Sequence, residues 1–176
     1  SLTSSAFDPY SSQYDFMLDY IYKNYYIKLP ETEKDEEFTK MVKAKINVIV
    51  GKQAPNIILG DSNLYSIKSK QTMVIFWSTT CSHCLKDIPK AHSFFKENTT
   101  VKVIGFAMEN DELGFNSFKN SLYGWHNVLG LGKWQNETAR IYNINSTPTY
   151  IILDANKKII ARPDSLEETK DFFSEK

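Results

Sequence analysis

The feature that most constrains this chain is an apolar run that leads through a short polar turn into two cysteines. Residues 73–77 read Met-Val-Ile-Phe-Trp, and three polar residues separate them from Cys81 and Cys84. A continuous apolar run bounded by a polar turn is typical of a buried strand. Helical spacing of apolar residues follows at Leu85 and Ile88. The cysteine pair is therefore predicted to lie where a buried strand ends and a helix begins.

This position suits thiol chemistry. The first turn of a helix carries unpaired amide N–H groups and the positive end of the helix dipole, which stabilise a thiolate. We therefore expect the pKa of Cys81 to fall below that of a free thiol. The two-residue spacing lets Cys84 reach Cys81 and close a disulfide ring. One thiolate can then attack a disulfide of a partner, and the other can resolve the mixed disulfide.

These residues resemble thioredoxin-fold thiol–disulfide oxidoreductases. The resemblance rests on the strand ending in Phe-Trp, the Cys-x-x-Cys and Pro89, which comes five residues after the second cysteine. Residues 146–154, Ser-Thr-Pro-Thr-Tyr-Ile-Ile-Leu-Asp, resemble the loop in which that fold places a cis-proline. The closer likeness is to the TlpA/ResA-type branch of bacterial periplasms, often membrane-anchored or lipid-anchored. It covers residues 51–163 and not the first fifty.

The order of strand and helix patterns predicts the fold class. The pattern βαβα, followed by a β-hairpin and a helix, is that of an α/β, thioredoxin-like three-layer fold with a central mixed sheet flanked by helices. An additional β-hairpin precedes the redox strand, with apolar segments at 57–59 and 64–67 around a turn-rich cluster. The redox domain is assigned to residues 51–176.

Residues 1–50 are predicted to form a helical extension. Helical patterns at about 14–26 and 32–50 are separated by Leu29-Pro30, which predicts a helical hairpin. Its aromatic face either packs against the redox domain or forms an exposed surface for a partner. That face comprises Tyr14, Tyr20, Tyr22, Tyr25 and Tyr26.

Composition excludes some classes of function. The 21 basic and 21 acidic residues give a formal net charge of zero, which does not favour nucleic-acid binding. No apolar run reaches the length of a membrane span. The chain begins at Ser1 rather than at methionine. We therefore expect that a signal peptide, a lipid-anchor segment or a tag was removed.

The two cysteines are the only ones in the chain. Cys81, at the helix start, is the expected nucleophile, and Cys84, one turn further in, is the expected resolving thiol. No cofactor is expected beyond a redox-active disulfide between them. The alternative is a metal site, but structural zinc usually requires four ligands, and the chain offers three histidines beside the two thiols. Copper bound by the two thiolates also stays open; the prediction is no metal.

Two charged side chains near the cysteines are candidates for tuning their pKa values. A protonated His83 would stabilise the Cys81 thiolate, or His83 is a solvent-exposed residue without a role. Asp87 occupies the position where the TlpA/ResA branch commonly has a glutamate linked to thiol protonation, or it is stabilised only by the helix dipole. Many thioredoxins have a buried aspartate where this chain has Ile75. Proton transfer is therefore left to Asp87, to Lys86, to water or to no group at all.

The resemblance also implies residues that contact the substrate. Pro148 is expected to follow a cis peptide bond and to lie against the disulfide, where it also tunes the thiols. The backbone of Thr147 is expected to pair with an extended peptide of the partner. Trp77 is expected to border the active-site surface, although core packing is the alternative.

A peroxidase is a competing class with the same fold. Peroxiredoxins carry a Thr or Ser three residues before the reactive cysteine, and Ser78 has that spacing. The proline that precedes it in those enzymes is replaced by Val74, and Cys84 follows too closely. Peroxidase chemistry is therefore disfavoured.

The sequence thus predicts a thiol–disulfide oxidoreductase, and the resemblance implies that its substrates are extracytoplasmic proteins. The resemblance implies a reductant, an upstream redox partner, a periplasmic location with a membrane or lipid tether, and a monomer. His83 and the missing buried acid favour a DsbA-like oxidant or isomerase instead. A third interpretation is a redox-idle binding or metal-handling module, with the helical hairpin as its working surface.

Overall fold

A five-stranded mixed sheet forms the centre of the protein, whose computed structural model describes residues 9–174. The strands are β1 (Ile58–Leu59), β2 (Ser62–Asn63), β3 (Gln71–Trp77), β4 (Val101–Glu109), β5 (His126–Leu131), β6 (Thr149–Leu153) and β7 (Ile159–Ala161). The order in the central sheet is β5-β4-β3-β6-β7, and β1 pairs only with β2. β3 is parallel to β4 and antiparallel to β6, which makes the sheet mixed.

Helices cover both faces of this sheet. They are α1 (Pro9–Asn24), α2 (Glu36–Asn47), α3 (Ser82–Lys96), α4 (Leu113–Phe118), α5 (Glu137–Ile141) and α6 (Leu166–Ser174). Short 3-10 turns lie at Tyr26–Lys28, Glu31–Glu33, Leu64–Ser66, Lys119–Ser121 and Lys133–Gln135. The layered α/β fold predicted from the sequence is confirmed.

β3 is the central strand because both of its faces are apolar. All seven of its residues are buried, as expected for a strand covered on both sides. Val74 and Phe76 belong to one core cluster, whereas Met73, Ile75 and Trp77 belong to the other. Alternate side chains of one strand thus supply the two cores, and the strand ends at the cysteine turn.

The helical extension is present as a hairpin and is tied to the sheet domain. The Asp35 side chain caps α2 by accepting a hydrogen bond from the N–H of Phe38 at 2.7 Å. α2 packs against α5. Lys52 Nζ lies 2.7 Å from Asp19 Oδ2, which ties α1 to the loop before the sheet. The division of the chain at residue 50 stays a prediction.

The aromatic face of the extension is largely exposed. Tyr14, Tyr20 and Tyr25 are exposed, whereas Tyr22 and Tyr26 are half-buried. The interpretation of this face as core packing is therefore wrong for the first three residues. The structure instead joins α1 to the rest of the protein through contacts with α2 and through the ion pair of Asp19 with Lys52.

The β-hairpin before the redox strand is shorter than its apolar pattern suggests. Residues 64–66 form a 3-10 turn instead of extending the second strand. Asn63 accepts a hydrogen bond from the N–H of Tyr65 at 2.9 Å, and Ser66 Oγ accepts one from the N–H of Asn63 at 3.1 Å. These local bonds favour the turn, which buries Leu64 completely.

Two further elements differ in length from the sequence pattern. The apolar residues Leu113, Phe115, Phe118 and Leu122 have the spacing of a helix that reaches residue 122, but α4 ends at Phe118 and continues as a 3-10 turn. Residues 125–128 have the pattern of a short strand, but β5 extends to Leu131. The strand is longer because it follows β4 in parallel register as far as Glu109. Within residues 9–174, no helix combines the length and apolar character needed to cross a bilayer.

Candidate active site

The two thiols lie at the start of α3, directly after the turn that follows β3. Cys81 is the N-cap residue, and its Sγ accepts a hydrogen bond from the backbone N–H of Cys84 at 3.2 Å. Both cysteines are free thiols; Cys81 is half-buried and Cys84 is buried. The sulfur of Cys81 therefore takes the place of the usual N-cap oxygen and satisfies an amide of the first helical turn.

The surroundings of the two sulfurs move their pKa values in opposite directions. Burial by itself raises the pKa of Cys81, but hydrogen bonds from Cys84 and the amide of His83 outweigh burial and hold that pKa below the usual value. Burial raises the pKa of Cys84 to about 12. Cys81 is thus the better nucleophile, and Cys84 stays protonated until an acceptor takes its proton.

A loop from a distant part of the chain meets Cys81. The Thr147–Pro148 peptide bond is cis, and the Cys81 thiol donates a hydrogen bond to the Thr147 carbonyl oxygen at 3.4 Å. This loop enters β6, in which Thr149 is the register partner of Phe76. Antiparallel pairing with β3 therefore brings the start of β6 to the same end of the sheet as the cysteines.

A buried carboxylate supports the cysteine turn, and the sequence interpretation missed it. Glu109, 4% exposed, ends β4. Its Oε1 accepts a hydrogen bond from the N–H of Thr79 at 2.5 Å, and its Oε2 accepts one from Ser78 Oγ at 3.3 Å. The only available signal was an acidic residue closing an otherwise apolar strand. Parallel pairing of β3 and β4 brings it beneath the turn.

Hydroxyl groups extend this network to the surface. Ser78 Oγ and Thr80 Oγ1 are 2.9 Å apart, and Lys133 Nζ donates to Thr80 Oγ1 at 2.8 Å. The three residues between β3 and Cys81 are therefore held from below by a carboxylate and from outside by a lysine. These hydrogen bonds restrain the turn and therefore the position of the Cys81 sulfur relative to the Thr147 loop.

A buried phenol lies opposite Ile75 on the neighbouring strand. Tyr150 is the register partner of Ile75, and both belong to the core cluster that contains Cys84. The Tyr150 hydroxyl is buried and has no hydrogen-bond partner among the described residues. Burial, followed by the charges of Asp87 and the thiols, raises the pKa of Tyr150. Its hydroxyl therefore remains a neutral donor at physiological pH.

The other residues predicted from the sequence lie at varied depths. His83 is exposed and Asp87 is half-buried on the same helix. Trp77 is completely buried and packs against Phe118, with ring centroids 5.4 Å apart. Its expected position at the active-site surface is thus corrected: the indole belongs to the core, because it continues the alternation of β3 toward α3 and α4.

Metal ligands are sparse around the thiols. In residues 9–174, no group of three or more His, Cys, Asp or Glu side chains is arranged to hold a metal ion. His92 is engaged elsewhere, since its Nε2 lies 2.8 Å from the carbonyl oxygen of Tyr123. A four-ligand zinc site therefore finds no support in this part of the chain.

Comparisons with known proteins agree with this geometry. The sequence model of the thioredoxin-like family matches residues 69–159. Thiol-disulfide oxidoreductase ResA of Bacillus thuringiensis is 25% identical over 118 residues, which cover 63% of this chain and 67% of that protein.

Solved structures give the same result for the fold. The crystal structure of a domain of a possible thiol-disulfide isomerase from Cytophaga hutchinsonii is 28% identical, has a TM-score of 0.61 and covers 72% of this chain and 91% of its own. The thioredoxin domain of a thiol-disulfide oxidoreductase from Bacteroides vulgatus, at 23% identity, matches in fold with a TM-score of 0.61 over 72% of this chain and 96% of its own. The resemblance to thioredoxin-fold proteins of the TlpA/ResA type is confirmed.

Proposed function

The chain belongs to the thioredoxin-like family and is a disulfide oxidoreductase, and from this premise we propose that it reduces disulfides of extracytoplasmic proteins. One observation carries the proposal. The half-buried Cys81 sulfur lies between the N–H of Cys84, at 3.2 Å, and the carbonyl of Thr147, at 3.4 Å. A nucleophilic thiolate, its resolving thiol and a backbone segment able to pair with a substrate thus meet at one point.

The proposed cycle begins with Cys81 as a thiolate. Its sulfur attacks one sulfur of the substrate disulfide, and the second substrate sulfur leaves as a thiolate that takes a proton from solvent. Cys84 then loses its proton and attacks the Cys81 sulfur of the mixed disulfide. The first substrate sulfur leaves, so the substrate gains two electrons and the chain ends with a Cys81–Cys84 disulfide. An upstream dithiol partner would return the two electrons.

The direction is supported by the unequal thiols. A strongly oxidising pair requires a reduced form that is stabilised. Here hydrogen bonds outweigh burial and lower the pKa of Cys81, whereas burial outweighs the hydrogen bond from Ser78 and raises the pKa of Cys84 to about 12. The exposed side chain of His83 is screened by solvent, which weakens any further stabilisation. This balance favours a reductant over a DsbA-like oxidant.

We propose an extracytoplasmic location, which the similarity to ResA-type proteins supports. A membrane or lipid tether, a monomeric state and the need for no cofactor beyond the disulfide are parts of the same proposal. His83 and Asp87 as pKa-tuning residues, and Thr147 and Pro148 as substrate contacts, also remain predictions.

The midpoint potential of the Cys81–Cys84 couple tests the proposal. A value near that of thioredoxin, about −270 mV, is expected, and a value near that of DsbA, about −120 mV, would replace the reductant by an oxidant or isomerase. Cys81→Ser should abolish exchange, and Cys84→Ser should accumulate the mixed disulfide. Absence of a reversible couple would leave a binding or metal-handling module.

A further inference from the structure

The Tyr150 side chain lies on the same face of the sheet as the resolving thiol. Residues directly opposite each other on paired strands point to the same face, and Tyr150 is opposite Ile75. Both belong to the core cluster that contains Cys84, whereas the neighbours of Ile75 on β3 supply the other cluster. Tyr150 is 2% exposed, and Cys84 is completely buried. The phenol therefore shares a core without solvent with the first turn of α3.

The Tyr150 hydroxyl lacks a hydrogen bond, in contrast to that of another buried tyrosine, Tyr142. The Tyr142 hydroxyl donates to the carbonyl oxygen of Pro55. The Tyr150 hydroxyl is closed off from solvent and, within residues 9–174, meets neither a donor nor an acceptor at hydrogen-bond distance. A buried polar group without a partner is costly and requires an explanation. A partner that forms only during the reaction explains it.

Cys84 is a partner whose hydrogen-bonding strength changes during the reaction. As a thiol its sulfur is a weak acceptor, whereas a thiolate accepts a charge-assisted hydrogen bond. Burial outweighs the hydrogen bond from Ser78 and raises the pKa of Cys84 to about 12. The thiolate that must attack Cys81 is therefore poorly stabilised by its surroundings. A neutral donor inside the core would stabilise it at the moment of attack.

The phenol keeps the proton that it would donate. Among the described residues, the charges that act on the Tyr150 hydroxyl are those of Asp87, which is half-buried one turn after Cys84, and of the two thiols. Burial, followed by these negative charges, raises the pKa of Tyr150. The hydroxyl therefore stays neutral and can donate, whereas a carboxylate in its place would repel a buried thiolate.

We propose that Tyr150 is a catalytic residue of the resolving step, in which its hydroxyl donates a hydrogen bond to the Cys84 thiolate. The bond is absent from the dithiol state and forms as the thiolate forms. Because it exists only while Cys84 is charged, it lowers the barrier without strengthening the dithiol or the disulfide. This inference rests on the proposed function, since it requires a mixed disulfide on Cys81.

The step is balanced in atoms and electrons. Cys84 loses its proton to solvent, and its sulfur forms a bond with the Cys81 sulfur. The bond between Cys81 and the substrate sulfur breaks at the same time. The substrate sulfur leaves with the electron pair of that bond and takes up a proton from solvent.

The test follows the two steps separately in the reduced full chain. One equivalent of dithiobis-nitrobenzoate, an aromatic disulfide, releases a first coloured thiolate when Cys81 attacks it and a second when Cys84 resolves the mixed disulfide. Tyr150→Phe keeps the ring and removes the hydroxyl. The first release should keep its rate, whereas the second should slow about three- to tenfold.

This factor combines two opposing effects. Loss of a hydrogen bond to a charged group lowers the acidity of the thiol about ten- to a hundredfold. A less acidic thiol gives a more nucleophilic thiolate, which offsets about half of the loss on a logarithmic scale.

Tyr142→Phe is the matched control, because Tyr142 is also completely buried but lies in the other core cluster. It should leave both releases unchanged and lower the urea midpoint of unfolding, since its bond to Pro55 is lost. Tyr150→Phe should leave that midpoint unchanged or raise it, since the hydroxyl that it removes has no partner. A slow second release in Tyr150→Phe therefore cannot be assigned to a weakened fold.

Alkylation separates a hydrogen-bond donor from a residue that only aligns the two sulfurs. In Cys81→Ser, Cys84 is the one remaining cysteine. Its reaction with iodoacetamide in mildly alkaline solution depends on its thiolate and not on its distance from residue 81. Adding Tyr150→Phe to this variant should slow the alkylation by a similar factor. An unchanged alkylation rate would overturn the donor role.

The outcomes also separate this inference from the proposed function. Equal rates of the second release in wild type and Tyr150→Phe would overturn the role of Tyr150 and leave the exchange activity standing. If the wild-type chain released no coloured thiolate, the proposed function would fall. The alkylation of Cys84 would then decide by itself whether the phenol stabilises that thiolate.

Discussion

Glu109 and Thr79 are joined by a hydrogen bond of 2.5 Å from the backbone N–H of Thr79 to Glu109 Oε1. The carboxylate belongs to β4 and the amide to the turn before Cys81, so this bond holds the reactive turn on the sheet. Ser78 Oγ completes the arrangement by donating to Oε2 at 3.3 Å.

Replacing this carboxylate should loosen the turn. Glu109→Ala leaves the partly buried N–H of Thr79 without its acceptor, so we expect the free energy of unfolding to fall by about 1–3 kcal/mol. Glu109→Gln keeps an acceptor oxygen and should cost less. Urea unfolding followed by tryptophan fluorescence measures the change, and Glu112→Gln, at an exposed position, serves as control. Equal stability of the alanine variant and the wild type would refute the support assigned to Glu109.

The opposite pKa shifts of the two thiols predict selective alkylation. Burial raises the pKa of Cys84 to about 12, so at pH 7 almost none of it is thiolate. Cys81, with its lowered pKa, should therefore react first with iodoacetamide in the reduced chain. Mass spectrometry of the labelled peptide identifies the site. Cys81→Ser should be almost inert at neutral pH; rapid labelling of that variant at Cys84 would contradict the assignment.

The attachment of α1 to the sheet domain should depend on pH. Burial alone raises the pKa of Asp19, but hydrogen bonds from Lys52 and Lys23 outweigh burial and lower that pKa below its usual value. The stabilisation is thus present above the unfolded pKa, about 3.9, and is lost as pH falls through the lower folded pKa. Protection of the α1 amides against hydrogen exchange should drop in that range while β3 stays protected.

Two variants isolate this effect. Asp19→Asn should weaken α1 protection already at neutral pH and remove its acid dependence, whereas Asp61→Asn, at an exposed site, should behave like the wild type. The ion pair is not the anchor of α1 if α1 and β3 lose protection together in every variant.

Gly114 is required by the packing of α4 against the cysteine turn. A Cβ at Gly114 would lie 2.2 Å from Thr79 Oγ1 and 2.9 Å from Thr79 Cβ. Alanine favours helix over glycine by about 1 kcal/mol, yet we expect Gly114→Ala to destabilise by about 1–3 kcal/mol through overpacking. The sign of the change in the free energy of unfolding, measured with urea, shows whether helix propensity or overpacking dominates. Adding Thr79→Ala should recover part of the loss, and a stabilising Gly114→Ala would show that the helix end can move away from the turn.

Much of the fold follows from periodicity in the sequence. The apolar run of β3 and the helical spacing after Cys84 predict the strand–helix junction that the structure contains. The pattern failed where local bonds or a neighbouring strand set the length of an element, as at residues 64–66 and in β5. The sequence pattern also did not decide whether Trp77 lies in the core or at the active-site surface, because a residue at the end of a buried strand fits either position.

The sequence by itself determined the position of the thiols at a helix start, because capping and dipole effects act within one helical turn of the chain. Tertiary structure decided which distant groups join them. Thr147 meets Cys81 across 66 positions, and Glu109 meets Thr79 across 30. Tyr150 faces Ile75 only because β6 runs antiparallel to β3. Periodicity reports which face of an element is buried, whereas strand order and register decide which polar groups share that burial.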